Sequence, residues 1–457
     1  MECPVLLTDE QMRFYIINGF VTVRADLPDG FHSSLCAQLE TLFQKEGNPG
    51  NNILPRIPEI HRVFEDPNVI GAITGLLGSG YYMHPHRHCH RNPPGSVGQN
   101  MHKDSWNRRL HPTRWTMALY YPQDTPEPLG PTGVVPSSHF YNTYNVETDT
   151  EIPVCGAAGT VTIIHYDLWH RAMPNQSDRN RFMLKFLFTR MAEPLKPSWN
   201  CKSTEWVPHL EHPYADELQP LWRSLWDWHC GNSSASQVSK TDKGKIQDLL
   251  KNLGHETETI GLSAAYELGS IPEAAPGLIR MLSSESDMSR HNAGYALTTL
   301  GEHAIDHLVH ALKEGDNRTR TLAVKLIGNL GTLARVSVDH VMKALEDDCP
   351  DVRDQAAEAL GNLEVMNSNV IRALIRCLND PDERVRRSSA LSLAHFGLHS
   401  EAAVSALVMV LSDEDRYARA NAVEALKRIG SNEAMKALLR DLATSRWCPQ
   451  TNHESTF

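Results

Sequence analysis

Three side chains in the N-terminal half could together bind a metal ion. His102 and Asp104 lie two residues apart, and side chains at that spacing point to the same side of an extended strand. A second imidazole, His170, follows a distant apolar run. Two histidines and one carboxylate bind Fe(II) on one face and leave the other face open for an oxo-acid and O₂. The set predicts a mononuclear iron site, although a histidine and an aspartate two apart also meet by chance in surface turns.

The strand pattern supplies the third ligand and a nearby cation. Gly159 and the β-branched run after it predict a buried strand that ends near His170, and turn residues then lead to an apolar strand that Arg181 opens. A hairpin of this kind would bring Arg181 beside His170, where a guanidinium can bind a carboxylate through two hydrogen bonds. Two alternatives stay open. In the first, His165 in mid-strand is the second histidine ligand in place of His170. In the second, Arg181 is only a solvated charge at a strand end.

These motifs, in this order, resemble the phytanoyl-CoA dioxygenase family of iron- and 2-oxoglutarate-dependent oxygenases. They cover about residues 5–195 and comprise an opening helix and first strand at 7–20, the His102–Asp104 pair, a turn at 133–139 with Ser137 where the family has glycine, and His170 followed by Arg181. The resemblance implies a double-stranded β-helix, a jelly-roll and cupin-like fold. It also implies Fe(II) and 2-oxoglutarate as cofactors, O₂ as oxidant and ascorbate as a stimulating reductant.

The resemblance gives roles to four catalytic residues. It implies that His102, Asp104 and His170 ligate the metal and that Arg181 binds the distal carboxylate of 2-oxoglutarate. Halogenating relatives lack the ligand carboxylate, so Asp104 favours hydroxylation.

Three more positions match family residues that contact the cosubstrate, namely Arg56, Tyr120 and His84. The alternatives are a loop arginine at 56 and a core tyrosine at 120. Histidines alternate along the strand at 84–90, so three of their imidazoles could instead hold a metal of their own.

The elements that must position these residues belong to a multidomain chain. Its 457 residues are enough for two or three domains. We predict an oxygenase domain at 1–228, in which the tryptophan-rich segment 196–229 caps the domain or joins it to the next. A polar linker at 229–243, a solenoid at 244–443 and a tail at 444–457 are expected to follow.

The second half repeats a short helical motif that closes at residues 269, 301, 331, 364, 397 and 430. A period of about 33 residues, with small residues and a left-handed glycine ending each unit, predicts an all-α solenoid of HEAT-like repeats. The sequence signatures of ankyrin and tetratricopeptide repeats are absent. A HEAT-repeat hydroxylase with two irons would need repeated His-Glu pairs, whereas this solenoid has the single pair His255–Glu256. Metal chemistry is therefore expected in the N-terminal domain.

Composition and the chain ends indicate which binding partners and which cellular location to expect. The net charge of −11 argues against binding to nucleic acid or to a membrane surface. Nine cysteines without a CxxC pair indicate reduced thiols. The sequence starts without a basic or apolar leader, ends without a peroxisomal tripeptide and has no apolar stretch long enough to span a membrane. A cytoplasmic enzyme is expected, with the nucleus as an alternative.

These motifs do not specify the substrate. A small molecule, an acyl group as in the family name and a protein bound by the solenoid are the open choices. Two rival functions also remain: an interaction scaffold that binds metal without turnover, and a hydrolase that holds zinc in the same ligand set.

Overall fold

The computed structural model describes residues 3–105, 111–144, 150–208, 212–232 and 243–444. Residues 233–242 of the predicted linker and 445–457 of the predicted tail lie outside the described residues.

The described chain forms two compact units. The first comprises residues 3–206 and 225–231, and the second comprises residues 207–224 and 232–444. One of the three boundaries between them falls inside the helix Ala215–His229.

The strands of the first unit form two antiparallel sheets. They are β1 Phe20–Arg24, β2 Tyr82–Asn92, β3 Trp115–Tyr120, β4 Thr132–Val134, β5 Ile152–Pro153, β6 Thr160–His165, β7 His170–Ala172 and β8 Arg181–Thr189. The larger sheet has the order β1-β6-β3-β8-β2 and the smaller sheet the order β5-β4-β7. The predicted double-stranded β-helix is confirmed.

Apolar side chains from both sheets meet in one core. The larger sheet contributes Met117 and Leu119 from β3 and Met183 and Leu187 from β8, and the smaller sheet contributes Val134. Because strand side chains alternate between two faces, these residues define the inner face of the larger sheet.

Helices cover the outer face of the larger sheet. The helices before β2 are α1 Asp9–Asn18, α2 Phe31–Lys45, α3 Ile53–Arg56, α4 His61–Phe64 and α5 Pro67–Leu77. From β8, Phe182 packs on Phe43 of α2 at 5.4 Å between ring centroids, and Phe186 packs on Phe64 of α4 at 4.4 Å. The alternate residues of β8, which include its arginine and its lysine, therefore face the interior.

Local sequence explains how the first strand enters this sheet. Thr8 and Gln11 form a reciprocal capping box that starts α1. The helix ends at Gly19, whose φ of 80° favours glycine. A Cβ at Gly19 would also lie 2.5 Å from Nδ1 of His139. The chain can therefore turn directly into β1, which pairs with β6.

The tryptophan-rich segment packs on the first unit through the end of α6, Ala215–His229. The Trp226 ring lies 5.1 Å from that of Trp199 and 5.8 Å from that of Trp206. The guanidinium of Arg190 lies 4.9 Å from the centroid of the Trp228 ring. These aromatic side chains are packing residues of the first unit.

The second unit is a solenoid of helices. After α6 these are α7 Lys243–Asn252, α8 Glu258–Leu268, α9 Ala275–Met281, α10 Asp287–Thr299, α11 Ile305–Glu314, α12 Asn317–Asn329, α13 Val338–Ala344, α14 Pro350–Leu363, α15 Ser368–Cys377, α16 Glu383–Phe396, α17 Val404–Val410, α18 Arg416–Ile429 and α19 Asn432–Thr444. Successive repeats approach closely at small residues: a Cβ at Gly328 would lie 2.9 Å from Ala359. The predicted HEAT-like solenoid is confirmed.

The closing position of each repeat varies more than expected. Four of the predicted closing glycines have positive φ, at 301, 331, 397 and 430. Gly269 instead has a φ of −63°, so the expectation of a left-handed glycine is wrong there. At the remaining position Glu364 adopts the left-handed conformation, with a φ of 52°.

Arginine–aspartate pairs repeat along the solenoid. The pairs are Arg320–Asp347 at 2.8 Å, Arg353–Asp380 at 2.8 Å and Arg386–Asp413 at 2.7 Å. Each guanidinium donates two hydrogen bonds to the carboxylate of the following unit. Such paired bonds are directional, so they help to set the register between neighbouring repeats.

By length and composition alone, Glu383–Val410 would pass for a membrane span. The stretch consists of the two solenoid helices α16 and α17 and the turn between them.

Candidate metal centre

Backbone pairing brings the two predicted histidine ligands together. His170 begins β7 and pairs with Val134 of β4. On the other side of β7, the His102 N–H donates to the His170 carbonyl and the His170 N–H donates to the His102 carbonyl, both at 3.0 Å. Asp104 follows two residues later. The set is thus assembled across an antiparallel ladder position.

The three side chains converge at distances suited to a metal. Their candidate ligand atoms all lie within 4.8 Å of one another. The ring centroids of His102 and His170 are 4.6 Å apart, and Nε2 of His170 lies 3.5 Å from Oδ2 of Asp104. Two imidazoles and one carboxylate suit Fe(II) and related divalent metals. The residues therefore fit the metal that the sequence predicts.

Backbone carbonyls set the tautomer of both imidazoles. Nδ1 of His102 lies 2.9 Å from the Asn100 carbonyl, and Nδ1 of His170 lies 2.9 Å from the Leu168 carbonyl. A carbonyl oxygen only accepts, so each Nδ1 carries the proton and each Nε2 presents its lone pair to the site. Burial and the neighbouring His170 also lower the pKa of His102, which favours the neutral form that binds metals.

Asp104 is held in its charged form. Burial alone would raise the pKa of this carboxyl group, but the neighbouring His170 and the charge of Lys185 outweigh burial and hold the pKa well below its usual range. Nζ of Lys185 lies 2.9 Å from Oδ2 of Asp104. The ligand set therefore contains an ionised carboxylate even before a metal binds.

Arg181 is fully buried with two open donors. Its Nε donates to the carbonyl of Gly130 at 2.9 Å. Within the described residues, neither terminal nitrogen of the guanidinium has a hydrogen-bond partner. Burial lowers the pKa of Arg181, although an arginine stays protonated in proteins. Unsatisfied buried donors are costly, and a carboxylate would satisfy both of them at once.

The inner face of β2 adds two histidines beside these cations. His88 pairs with Lys185 and His90 pairs with Met183 in the register between β2 and β8. Their rings lie 4.7 Å apart. The pKa of His90 is lowered to about 3 by burial and by the positive charges of Lys185 and other neighbours. Both imidazoles stand next to the predicted metal and cosubstrate residues, where sequence reasoning placed His84.

The contacts that the structure gives for His84 and Arg56 are with other residues. The His84 ring packs against those of Tyr82 and Trp115, at 5.7 and 5.5 Å. Nε of Arg56 is paired with Glu46 at 2.8 Å.

Tyr120 lies on the opposite face of the sheet. It pairs with Leu184 of β8 and its hydroxyl lies 2.8 Å from Nδ1 of His32 in α2. The expected contact between Tyr120 and the cosubstrate is therefore corrected to a core contact under the helices. The next residue, Tyr121, faces the interior, where its hydroxyl donates to Oγ1 of Thr132 at 2.7 Å. Burial raises the pKa of Tyr121, and the charge of Arg181 opposes this rise. Strand alternation separates the two tyrosines.

Neither alternative metal site is supported. In the part of the chain that the structure describes, the one group of three potential ligands at these distances is His102, Asp104 and His170. His165 instead accepts a hydrogen bond from the Asp167 N–H and lies 5.0 Å from the ring of His139. The alternating histidines of β2 form no such group among the described residues.

Comparison with known families agrees with this geometry. Residues 42–183 match the phytanoyl-CoA dioxygenase family, and overlapping matches to HEAT repeats cover residues 305–394, 338–426 and 371–447. The chain carries a phytanoyl-CoA dioxygenase domain followed by HEAT repeats. It is an iron- and 2-oxoglutarate-dependent oxygenase. The predicted family, fold class and enzyme class are confirmed, whereas the individual site residues stay predictions.

Several solved structures are similar to the oxygenase part. The 2-oxoglutarate-dependent carbocyclase SnoK from nogalamycin biosynthesis is 20% identical, covers 42% of this chain and 88% of its own, and has a TM-score of 0.36. HygX from Streptomyces hygroscopicus, with nickel and 2-oxoglutarate bound, is 18% identical; the match covers 40% of this chain and 88% of HygX, with a TM-score of 0.34. AviO1 from Streptomyces viridochromogenes is 16% identical; the match covers 40% of this chain and 96% of AviO1, with a TM-score of 0.35. A search of curated proteins finds no match.

Proposed function

We propose that this oxygenase hydroxylates its substrate at a metal held by His102, Asp104 and His170, with 2-oxoglutarate anchored by Arg181. The observation that supports this most is the buried guanidinium with two open donors, four residues before Lys185, which is paired with the candidate ligand Asp104. A dicarboxylic oxo-acid fits both features, because one end can chelate a metal and the other end can pair with Arg181.

Each residue of the site has a distinct task in this proposal. The neutral imidazoles of His102 and His170 and the charged Asp104 would hold the metal on one face. Bound iron would supply the activation of O₂, with ascorbate as a reductant that keeps the iron ferrous. Asp104 fills the ligand position that halogenation would need for a halide, which favours hydroxylation.

In this proposal Tyr121 and Thr132 would form part of the wall around the distal carboxylate of 2-oxoglutarate. Tyr121 donates to Oγ1 of Thr132 and accepts from the Thr132 N–H at 3.2 Å. These bonds hold the phenol ring in place, and the charge of Arg181 acts on the pKa of Tyr121. Tyr121 and Thr132 would orient the distal carboxylate of 2-oxoglutarate and exclude water from it.

Two polar side chains of β2, His88 and His90, would line the proposed site. His88 accepts a hydrogen bond from the Asn48 amide at 3.0 Å, which leaves its other ring nitrogen as a donor. With His90 beside it, this wall suits a small polar molecule better than a long acyl chain. The HEAT repeats would serve protein interaction or the presentation of a protein substrate.

The test is turnover by the full-length protein. Anaerobically prepared protein would be loaded with Fe(II), given 2-oxoglutarate and O₂, and assayed for succinate and CO₂, first alone and then with small-molecule and peptide libraries. We expect basal decarboxylation in the wild type and much less in Arg181→Leu. Iron-loaded protein that releases no CO₂ with any candidate would favour the scaffold, and zinc in the isolated protein with hydrolytic activity would favour the hydrolase.

A further inference from the structure

β8 delivers a second buried cation to the proposed metal centre. Lys185 lies four residues after Arg181 and pairs with Leu119 of β3, whose side chain belongs to the inner core. The side chain of Lys185 is 10% exposed, and its Nζ lies 2.9 Å from Oδ2 of Asp104. Because this strand is buried along its whole length, the ammonium group is held next to a candidate metal ligand.

Lys185 and the candidate ligand His170 approach the same oxygen of Asp104. Nε2 of His170 lies 3.5 Å from Oδ2. This nitrogen presents a lone pair and not a proton, because Nδ1 donates to the Leu168 carbonyl. A metal held between His170 and Oδ2 would therefore share this oxygen with the ammonium group.

The charges around this oxygen become unbalanced once a divalent metal is added. Lys185 and Arg181 bring two positive charges to the surroundings of His90, and Asp104 brings one negative charge. Both cations are buried, and like charges repel more strongly there than in water. Lys185 contacts the ligand oxygen itself, whereas Nε of Arg181 donates to the carbonyl of Gly130. Lys185 is therefore the cation that most directly opposes a metal.

2-Oxoglutarate would offset this excess of positive charge. The cosubstrate is a dianion at neutral pH, and in the proposed function one carboxylate binds the metal while the other binds Arg181. The metal and the cosubstrate should therefore bind more tightly together than either binds alone. By linkage, each raises the affinity for the other by the same factor.

We propose that Lys185 weakens metal binding in the absence of the cosubstrate and thereby couples the binding of the metal to the binding of 2-oxoglutarate. The ammonium group acts through Asp104 and does not ligate the metal. This inference rests on the proposed function.

The affinity for Mn(II) tests the coupling without turnover. Free Mn(II) is measured by electron paramagnetic resonance while the full-length protein is titrated, first alone and then with saturating 2-oxoglutarate. Lys185→Met should bind Mn(II) alone about tenfold more tightly than the wild type, which is within the usual range of coupling between ligands.

The second quantity is the gain in Mn(II) affinity that 2-oxoglutarate causes. Chelation by the oxo-acid contributes to this gain in every variant, so it cancels when variants are compared. The gain should be about tenfold smaller in Lys185→Met than in the wild type. Lys185→Arg keeps the positive charge and should keep both wild-type values.

Lys103→Met is the matched control. Nζ of Lys103 donates to the carbonyl of Tyr141 at 2.6 Å, so this variant removes a cation that neighbours the ligands in sequence and donates elsewhere. It should keep the wild-type affinity and the wild-type gain. Lys185→Gln, which is also uncharged, replaces Lys185→Met if circular dichroism shows that variant to be poorly folded.

Two results would overturn the proposal. One is a folded, uncharged variant that binds Mn(II) no more tightly than the wild type, since Lys185 would then support the site and not oppose the metal. The other is an uncharged variant whose Mn(II) affinity gains as much from 2-oxoglutarate as that of the wild type. Failure of the proposed function looks different, because the wild type itself would bind no Mn(II) or would gain nothing from 2-oxoglutarate.

Discussion

His102 and His170 donate backbone hydrogen bonds to each other's carbonyls, each 3.0 Å long. Their imidazoles therefore project from one ladder position, with ring centroids 4.6 Å apart. Residues paired in this way are close neighbours whatever the chain does elsewhere. The proposed metal centre is thus positioned by sheet register across nearly seventy residues of sequence.

Removing either histidine should strip the metal. We expect His102→Ala and His170→Ala to lower metal affinity by more than about a hundredfold, because even the outer partners of metal ligands contribute about 10–100-fold. Decarboxylation of 2-oxoglutarate should stop in both. The measurement is metal titration followed by the succinate assay, with the exposed His61→Ala as the control. Full iron occupancy and turnover in either variant would show that the ligand assignment is wrong.

Removing Arg181 should separate cosubstrate binding from metal binding. Arg181→Leu should keep the metal but raise the KM for 2-oxoglutarate steeply, because a buried charge pair is worth roughly 2–5 kcal/mol. Arg91→Leu is the matched control, since this exposed arginine of β2 lies over the Phe43 ring. An unchanged KM would transfer the role to another cation, and Lys185 or Arg56 would be tested next.

The sequence predicts a site residue only where it also shows which face of its strand the side chain occupies. Arg181 could be placed because it opens an apolar strand after a turn. Lys185 carried the same signal, a lone cation inside an apolar strand at even spacing from Arg181, but its partner Asp104 is 81 residues away. Only the register between strands reveals that pairing.

Side chains alternate between the two faces of a strand, and the sequence alone can assign a residue to the wrong face. Tyr120 and Tyr121 differ by one position, and only the pairing of Tyr120 with Leu184 shows that Tyr121 is the inward residue. On β2 the register shifts between Met83 and Arg87. A local irregularity of this kind changes which histidines face inward, and a regular pattern of histidines in sequence does not disclose it.

The first unit should lose stability in acid because it buries neutral histidines. The pKa of His165 is lowered to about 3 by burial and by the charge of Lys103, and burial also lowers the pKa of His139 and His229 well below the usual 6.5. Between pH 6.5 and about 3 the unfolded chain binds a proton at His165 that the folded chain does not. The stabilisation is fully present above pH 6.5 and decreases by about 1.4 kcal/mol per pH unit for each such histidine as the pH falls.

Denaturant unfolding between pH 7 and pH 5 measures this effect. Tryptophan fluorescence reports mainly on the first unit, since residues 243–444 contain no tryptophan and Trp222 is the one tryptophan among the described residues of the second unit. The free energy of unfolding should change less with pH in His165→Gln than in the wild type. The exposed His61→Gln should keep the wild-type dependence on pH. Equal slopes in all three proteins would contradict the account.

A cut after α6 should remove the repeats while keeping the first unit together with residues 207–224. A protein of residues 1–236 should stay soluble and retain basal decarboxylation, because each solenoid repeat contacts mainly its neighbours. A protein of residues 1–206 should aggregate, because it lacks Trp226 and exposes the Trp199 ring that packs on it. Solubility, metal content and succinate release decide the outcome. An insoluble 1–236 protein, or one that cannot bind 2-oxoglutarate, would show that the solenoid is part of the catalytic fold.

The most direct test of the central claim is the visible absorption of the anaerobic protein with Fe(II) when 2-oxoglutarate is added. Chelation of Fe(II) by the oxo-acid produces a metal-to-ligand charge-transfer band without any turnover or known substrate. We predict that the wild type shows this band, that His102→Ala does not, and that Arg181→Leu needs far more 2-oxoglutarate to reach the same intensity. A wild-type protein that holds Fe(II) and shows no band at saturating 2-oxoglutarate would contradict the account.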